Sequence, residues 1–129
     1  AKLEAKKRGA VEGIMLTEDG YIAEGTVSNI FIVSKGILIT PPAGPDVLDG
    51  VTREIVIQIV KDANIPFKDE KFLKDELINA DECFLTNTTF EIMPVREVDD
   101  FKIGEEPPGK ITALLMEKFK HYSLYSKKV

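Results

Sequence analysis

The sequence predicts an α/β or α+β domain built on a mixed β-sheet with flanking helices. Three observations predict it. Short runs rich in β-branched and aromatic residues come in pairs joined by glycine-containing turns. Two longer stretches carry apolar residues at helical spacing. The two kinds of segment alternate irregularly, which argues against a pure bundle or a pure sandwich. The 129 residues are enough for one domain with a real core, and a single domain over 1–129 is expected. With 43% hydrophobic and 30% charged residues the chain falls in the ordinary globular class, and a net charge of −5 argues against a nucleic-acid surface. No apolar run approaches the roughly 18–20 residues of a membrane span. No secretory segment is visible, and the single cysteine, Cys83, cannot form an internal disulfide. A reducing cytoplasm is the expected compartment, with neither nucleic acid nor membrane as partner.

Taken in order, residues 1–9 (AKLEAKKRG) read as the end of a helix, with Gly9 where a C-cap belongs. The pattern starts without an N-cap, so the natural protein is expected to extend upstream. Residues 13–17 (GIMLT) read as a strand, 18–20 as a turn and 21–23 as the returning strand. Residues 28–33 (SNIFIV) and 37–40 (ILIT) form a hairpin pattern around 34–36. Two prolines and a glycine make 41–45 a loop. Ile55, Val56, Ile59, Val60 and Ala63 give 52–64 helical spacing. A strand over 67–72, a short helix over 74–79 and a buried strand over 82–86 follow. Residues 91–98 are a strand in which Pro94 signals an edge or bulge. A loop over 104–109 leads to a closing amphipathic helix over 111–125, carried on Leu114, Leu115, Lys118 and Phe119. No repeat, low-complexity tract or linker interrupts the chain.

Three segments place polar residues against apolar strands. In residues 24–29 (EGTVSN) a carboxylate adjoins a glycine at a strand junction, where the backbone can approach a ligand; a solvated polar turn is the other reading, and the stronger one on this segment alone. In residues 48–53 (LDGVTR) a glycine loop runs into a helix, whose free N–H groups and Thr52 hydroxyl suit an anion. A plain N-cap by Asp49 or Thr52 is the alternative. Residues 86–89 (TNTT) follow a strand, where open sheets place ligands, or they form a hydrogen-bonded turn.

Their order is more specific than any one of them. EGxxSNIF, then LDGVTRE, then ECFLTNTTFEIMPV, with a closing GxxGxxT-like segment at 104–112, resembles the class IV aminotransferases across essentially the whole chain. That family holds branched-chain aminotransferases, D-amino-acid aminotransferases and aminodeoxychorismate lyases, which use pyridoxal 5′-phosphate (PLP). The resemblance implies the C-terminal, larger domain of a fold-type IV enzyme, with a mixed sheet or open barrel. It implies that Glu24 pairs with the pyridine nitrogen, keeping it protonated so the ring can accept electrons. Thr26 and Ser28 match positions lining the cofactor, and Val27 departs from the hydroxyl or glycine usual there. Leu48 matches the apolar residue against the ring. Gly50, Val51 and Thr52 match the helix start that holds the phosphate, and Asn87 and Thr88 the second phosphate-side loop. Thr88 and Thr89 face the substrate carboxylate. Glu24, Leu48, Thr52 and Thr88 are thus expected to converge on one concave site.

The resemblance also implies what lies elsewhere. The family's Schiff-base lysine is expected about ten residues upstream of Ala1, and its phosphate-binding arginine in an N-terminal domain, so no catalytic residue is expected here and the chain alone is expected to be inactive. Lys2, Lys6 and Lys7 read as solvated charges. Without that lysine the chain is expected to hold at most a phosphate or sulfate near Val51 and Thr52, and the intact protein is expected to be a homodimer. No metal is implied. Arg53 reads as a structural ion pair, His121 as a surface residue and Cys83 as a small core residue. TNTTFE in place of GTAAE favours the lyase, which releases pyruvate to form 4-aminobenzoate. A branched-chain or D-amino-acid transaminase is the alternative, and a non-enzymatic binding domain that kept the fold is the alternative of another class.

Overall fold

The computed structural model describes residues 2–7, 10–16, 22–25, 29–42, 50–87, 91–99, 101–104 and 109–127. Strand β4 (Asn29–Ser34, NIFIVS) is buried along nearly its whole length, as a central strand of apolar residues must be. It pairs antiparallel with β5 (Ile37–Thr40) through a two-residue turn in which Lys35 (φ 52°) and Gly36 (φ 79°) both take positive φ, the type I′ signature. Asp81 accepts a hydrogen bond from the Lys35 N–H at 2.9 Å. On its other side β4 pairs with β7 (Glu82–Asn87), which pairs with β8 (Glu91–Pro94). Strand β6 (Phe67–Asp69) joins β5 in parallel, giving a mixed sheet in the order β6-β5-β4-β7-β8.

A second five-stranded sheet runs β10-β9-β1-β2-β3, from Phe101–Lys102, Glu97–Val98, Lys2–Lys7, Ala10–Leu16 and Ile22–Gly25. Between the sheets lies a core containing Ile22, Ile30, Ile32, Phe72, Leu85 and Val98. The other face of β4 and β7 carries Phe31, Val33 and Phe84, covered by Val56, Ile59 and Val60 of helix α1 (Val51–Asp62) and by Leu115 and Phe119 of helix α3 (Lys110–Lys127). Alternation along β4 thus feeds two cores, one against sheet and one against helix. The short helix α2 (Lys74–Ile78) sends Leu77 into the inter-sheet core. This is the mixed α/β arrangement the sequence predicts.

Four expectations need correction. Residues 2–7 are a strand, not a helix end: β1 hairpins onto β2 with Lys2 opposite Met15 and Lys7 opposite Ala10. The period-2 pattern was present, with Leu3 and Ala5 set between charged residues, and a pairing partner outweighs weak helical propensity. Residues 8 and 9 lie outside the described residues. The strand expected over 67–72 stops at Asp69, and Phe72 is instead a wholly buried core residue. The strand expected over 91–98 divides at Pro94 into β8 and β9, which belong to different sheets, and the β9–β10 pairing was not foreseen. In α3 the buried stripe is Thr112, Leu115 and Phe119, while Leu114 and Lys118 face solvent.

Two outcomes follow from this packing. Phe84 is fully buried and stacks on Phe31, so Phe84→Ala should cost about 3–5 kcal/mol of stability, seen as a lower urea midpoint at unchanged m-value. Burial pushes the Cys83 thiol well above its ordinary value of 9.0. Iodoacetamide should therefore leave Cys83 unmodified at pH 8 in the folded chain and label it only after denaturation; rapid labelling of folded protein would contradict the burial.

Candidate cofactor site

Opposed residues of an antiparallel ladder point to the same face. The β4–β7 ladder therefore offers α1 and α3 three rungs: Asn29 opposite Thr86, Phe31 opposite Phe84, and Val33 opposite Glu82. In the middle rung the rings stack at 4.9 Å with 6° between their planes. At one end, the Glu82 carboxylate accepts hydrogen bonds from the backbone N–H of Ile111 (3.2 Å) and Thr112 (2.8 Å), capping α3 from a neighbouring strand. At the other end sits the start of α1.

That helix starts at a residue with no side chain to cap it. Gly50 is the N-cap residue, and its carbonyl accepts the first helical bond, from Glu54 N–H at 3.1 Å. The amides of Val51, Thr52 and Arg53 thus have no partner within the helix. Gly50 has φ −85° and ψ 146°, a conformation open to any residue, so its lack of a side chain answers a different need. A Cβ built on Gly50 would lie 2.5 Å from the Oδ1 of Asn29. The α1 terminus is planted against the end rung of the ladder, and glycine is what lets it approach that closely.

Around this point Val51 is 68% exposed, whereas Thr52 is 5% and Asn29 3% exposed. Thr86 is wholly buried, and its hydroxyl has no hydrogen-bond partner among the described residues. An unpaired buried hydroxyl is costly unless something else satisfies it. Arg53, also buried, donates from Nη2 to the Pro41 carbonyl (3.0 Å) and to Asp69 (3.4 Å), and from Nη1 to Glu54 (3.2 Å). The ion pair expected of Arg53 is thus present, and it ties the first turn of α1 to the end of β5 and to β6.

The three segments singled out in the sequence meet here in part. Asn29 ends the first, Gly50, Val51 and Thr52 belong to the second, and Thr86 and Asn87 open the third. Asn87 is the half-buried last residue of β7, opposite Glu91. Glu24 lies on β3 with its backbone opposite Met15, and its side chain lies outside the described residues, as do Thr26, Val27, Ser28, Leu48, Thr88 and Thr89. Asn29 and Thr86 lie within two of the segments singled out in the sequence, but neither was assigned a place against the cofactor. The signal was available: each is a polar residue at the end of an apolar strand. His121 is exposed and contacts Glu117 at 3.0 Å, one helical turn away, as a surface histidine would. Among the described residues no cluster of acidic, histidine or cysteine side chains could hold a metal, and no helix is long and apolar enough to cross a membrane.

The family model of amino-transferase class IV matches residues 1–98. The chain belongs to the class IV aminotransferase family. This class IV chain is 42% identical over 120 residues to a provisionally named branched-chain-amino-acid aminotransferase of Methanocaldococcus jannaschii, covering 93% of this chain and 42% of that protein. It is 39% identical over 116 residues to the branched-chain-amino-acid aminotransferase of Escherichia coli K12, covering 90% and 38%. The crystal structure of the Escherichia coli branched-chain enzyme superposes with a TM-score of 0.84 at 38% identity, over 88% of this chain and 38% of that one. The T.th. branched-chain enzyme, at 36% identity and a TM-score of 0.81, was solved with pyridoxamine 5′-phosphate and with N-(5′-phosphopyridoxyl)-L-glutamate, covering 87% of this chain and 37% of that one. The class IV chain spans about two-fifths of the length of the curated relatives it matches. These relatives support the transaminase alternative over the lyase expected first.

The Arg53 geometry makes a prediction. Arg53→Met should lower stability by about 1–3 kcal/mol in urea unfolding, since Asp69 and Glu54 are about half exposed and can be hydrated once their partner is gone. The Pro41 carbonyl cannot. A loss near zero would mean that the buried guanidinium does not hold the α1 start.

Proposed function

We propose that the full-length protein carrying this chain is a PLP-dependent branched-chain amino acid transaminase, in which this chain forms the phosphate and pyridine-nitrogen side of the site. The observation that carries the reading is the meeting of a helix start at a glycine N-cap with two strand ends, in a chain 39% identical to the Escherichia coli K12 branched-chain enzyme. The residues present fit the phosphate. Amides with no partner inside the helix, and the buried Thr86 hydroxyl with none among the described residues, are donors that suit an acceptor-rich group such as a phosphate.

When bound, PLP supplies a protonated pyridine ring that can take up the electron pair released at the α-carbon of an amino acid. Glu24 holds the proton on the ring nitrogen with its carboxylate. The amides of Val51 and Thr52 and the Thr52 hydroxyl hold the phosphate, aided by the α1 dipole. Leu48 keeps one ring face dry, while Thr26, Val27 and Ser28 line the edge. Asn87 and Thr88 close the phosphate side, and Thr88 and Thr89 orient the substrate carboxylate. The lysine that links the cofactor and the remainder of the substrate pocket belong to the part of the protein outside this chain, as does the second subunit of a homodimer in the cytoplasm.

Assaying the full-length protein for amino transfer from leucine, isoleucine or valine to a 2-oxo acid tests the reaction. Formation of 4-aminobenzoate from aminodeoxychorismate without transamination would instead favour the lyase, a reading that rests on TNTTFE in place of GTAAE. Two variants test the roles. Glu24→Gln keeps the shape and removes the charge, so turnover should fall by about a hundredfold or more with little change in PLP affinity. Thr52→Val should do the reverse, weakening PLP retention by about 1–3 kcal/mol in equilibrium dialysis. Normal turnover in Glu24→Gln would remove Glu24 from its role.

A further inference from the structure

We propose that Asn29 is a positioning residue for the cofactor, and that its contact with Gly50 sets the spacing between the two ends of the PLP site. The inference rests on the function proposed above. PLP is a stiff ring with its nitrogen on one side and its phosphate on the other, so a protein that grips both must hold two groups at a set separation. The residue assigned to the nitrogen, Glu24, is on β3, and the chain that leaves β3 enters β4 at Asn29. The amides assigned to the phosphate begin at Val51, directly after Gly50. Asn29 and Gly50 are therefore a point where the nitrogen-side segment and the phosphate-side segment touch.

The contact is a hard stop. The Asn29 side chain is short, 3% exposed, and fixed in register opposite Thr86, so it has little room to swing aside. An added Cβ at Gly50 would meet its Oδ1 at 2.5 Å, well inside van der Waals contact. The next neighbours, Asn29 Cγ at 3.7 Å and Arg53 Cβ at 3.9 Å, are at ordinary contact distances. Among the described residues, only the tip of the Asn29 amide stands in the way. Arg53 limits the compensating movement from the other side, because its bond to the Pro41 carbonyl holds the first turn of α1 against the end of β5. A methyl group at position 50 must then displace the α1 start relative to β4, altering the distance between the cofactor's two anchors while leaving each anchor chemically intact.

The test uses the full-length protein freed of cofactor, as wild type, Gly50→Ala, Asn29→Ala and the double variant. Dissociation constants are measured for PLP, which needs both anchors, and for inorganic phosphate, which needs only the α1 end; thermal midpoints are recorded alongside. Gly50→Ala should weaken PLP binding by about tenfold or more and inorganic phosphate by less than about threefold. Asn29→Ala removes the stop, so it should weaken PLP by less than Gly50→Ala does and leave phosphate unchanged, and adding it to Gly50→Ala should return PLP affinity to about the Asn29→Ala level. A residue that merely supports the fold would lower both affinities and the midpoint together, without rescue. Parallel loss of PLP and phosphate in Gly50→Ala, or a double variant no better than Gly50→Ala, overturns the inference, and should Gly50→Ala fail to fold, the Asn29→Ala selectivity decides alone. A wild-type protein that binds neither probe overturns the proposed function itself, a different outcome from wild-type binding that Gly50→Ala leaves unchanged.

Discussion

The register of β4 against β7 is the constraint on which the rest depends. Because opposed residues share a face, one alignment delivers Asn29 and Thr86 to the start of α1, Phe31 and Phe84 to the helix-facing core, and Glu82 to the start of α3. A slip of one residue would turn one of the two stacked phenylalanines toward the other sheet. The turned strand would carry either Glu82 away from α3 or Asn29 away from Gly50. Stability and site geometry are thus tied to the same hydrogen-bond ladder, with the apolar rung between the two polar ones.

The two helix starts are handled in opposite ways. The α3 terminus receives a carboxylate from β7, with Gly109 packed against the Glu82 side chain, so its first amides are satisfied within the chain. The α1 terminus begins at a glycine N-cap, which has no side chain of its own to offer. Instead it is held mechanically: Gly50 rests on Asn29, and Arg53 grips Pro41 and Asp69. The first amides of α1 have no partner within the helix, and the buried Thr86 hydroxyl nearby has none among the described residues.

Much of the fold was legible in the sequence. The hairpin at Lys35-Gly36, the α1 stripe of Val56, Ile59 and Val60, and the buried β7 run all follow from period and turn chemistry. What misled was local. Residues 1–9 lack a strong signal of either kind, and only the pairing of β1 with β2 and β9 makes 2–7 extended. Pro94 marks an end of pairing, but nothing nearby in sequence says that the chain then crosses into a different sheet. On α3, Leu114 and Leu115 look alike in sequence; which one is buried depends on where Phe84 and Val60 already stand.

The sequence by itself determined the class of fold, the family, and which short segments carry polar chemistry, because these depend on residue types at fixed spacings along the chain. The tertiary structure alone decided that Asn29 and Thr86 belong with Gly50 and Thr52. They lie up to 57 positions apart in sequence (86 − 29), and nothing in the local pattern of either strand encodes its partner. It also decided why position 50 is a glycine: the backbone there is ordinary, and only a side chain arriving from β4 leaves no space for a Cβ. Local propensity is written residue by residue, whereas a close approach between distant segments exists only once the ladder has brought them together.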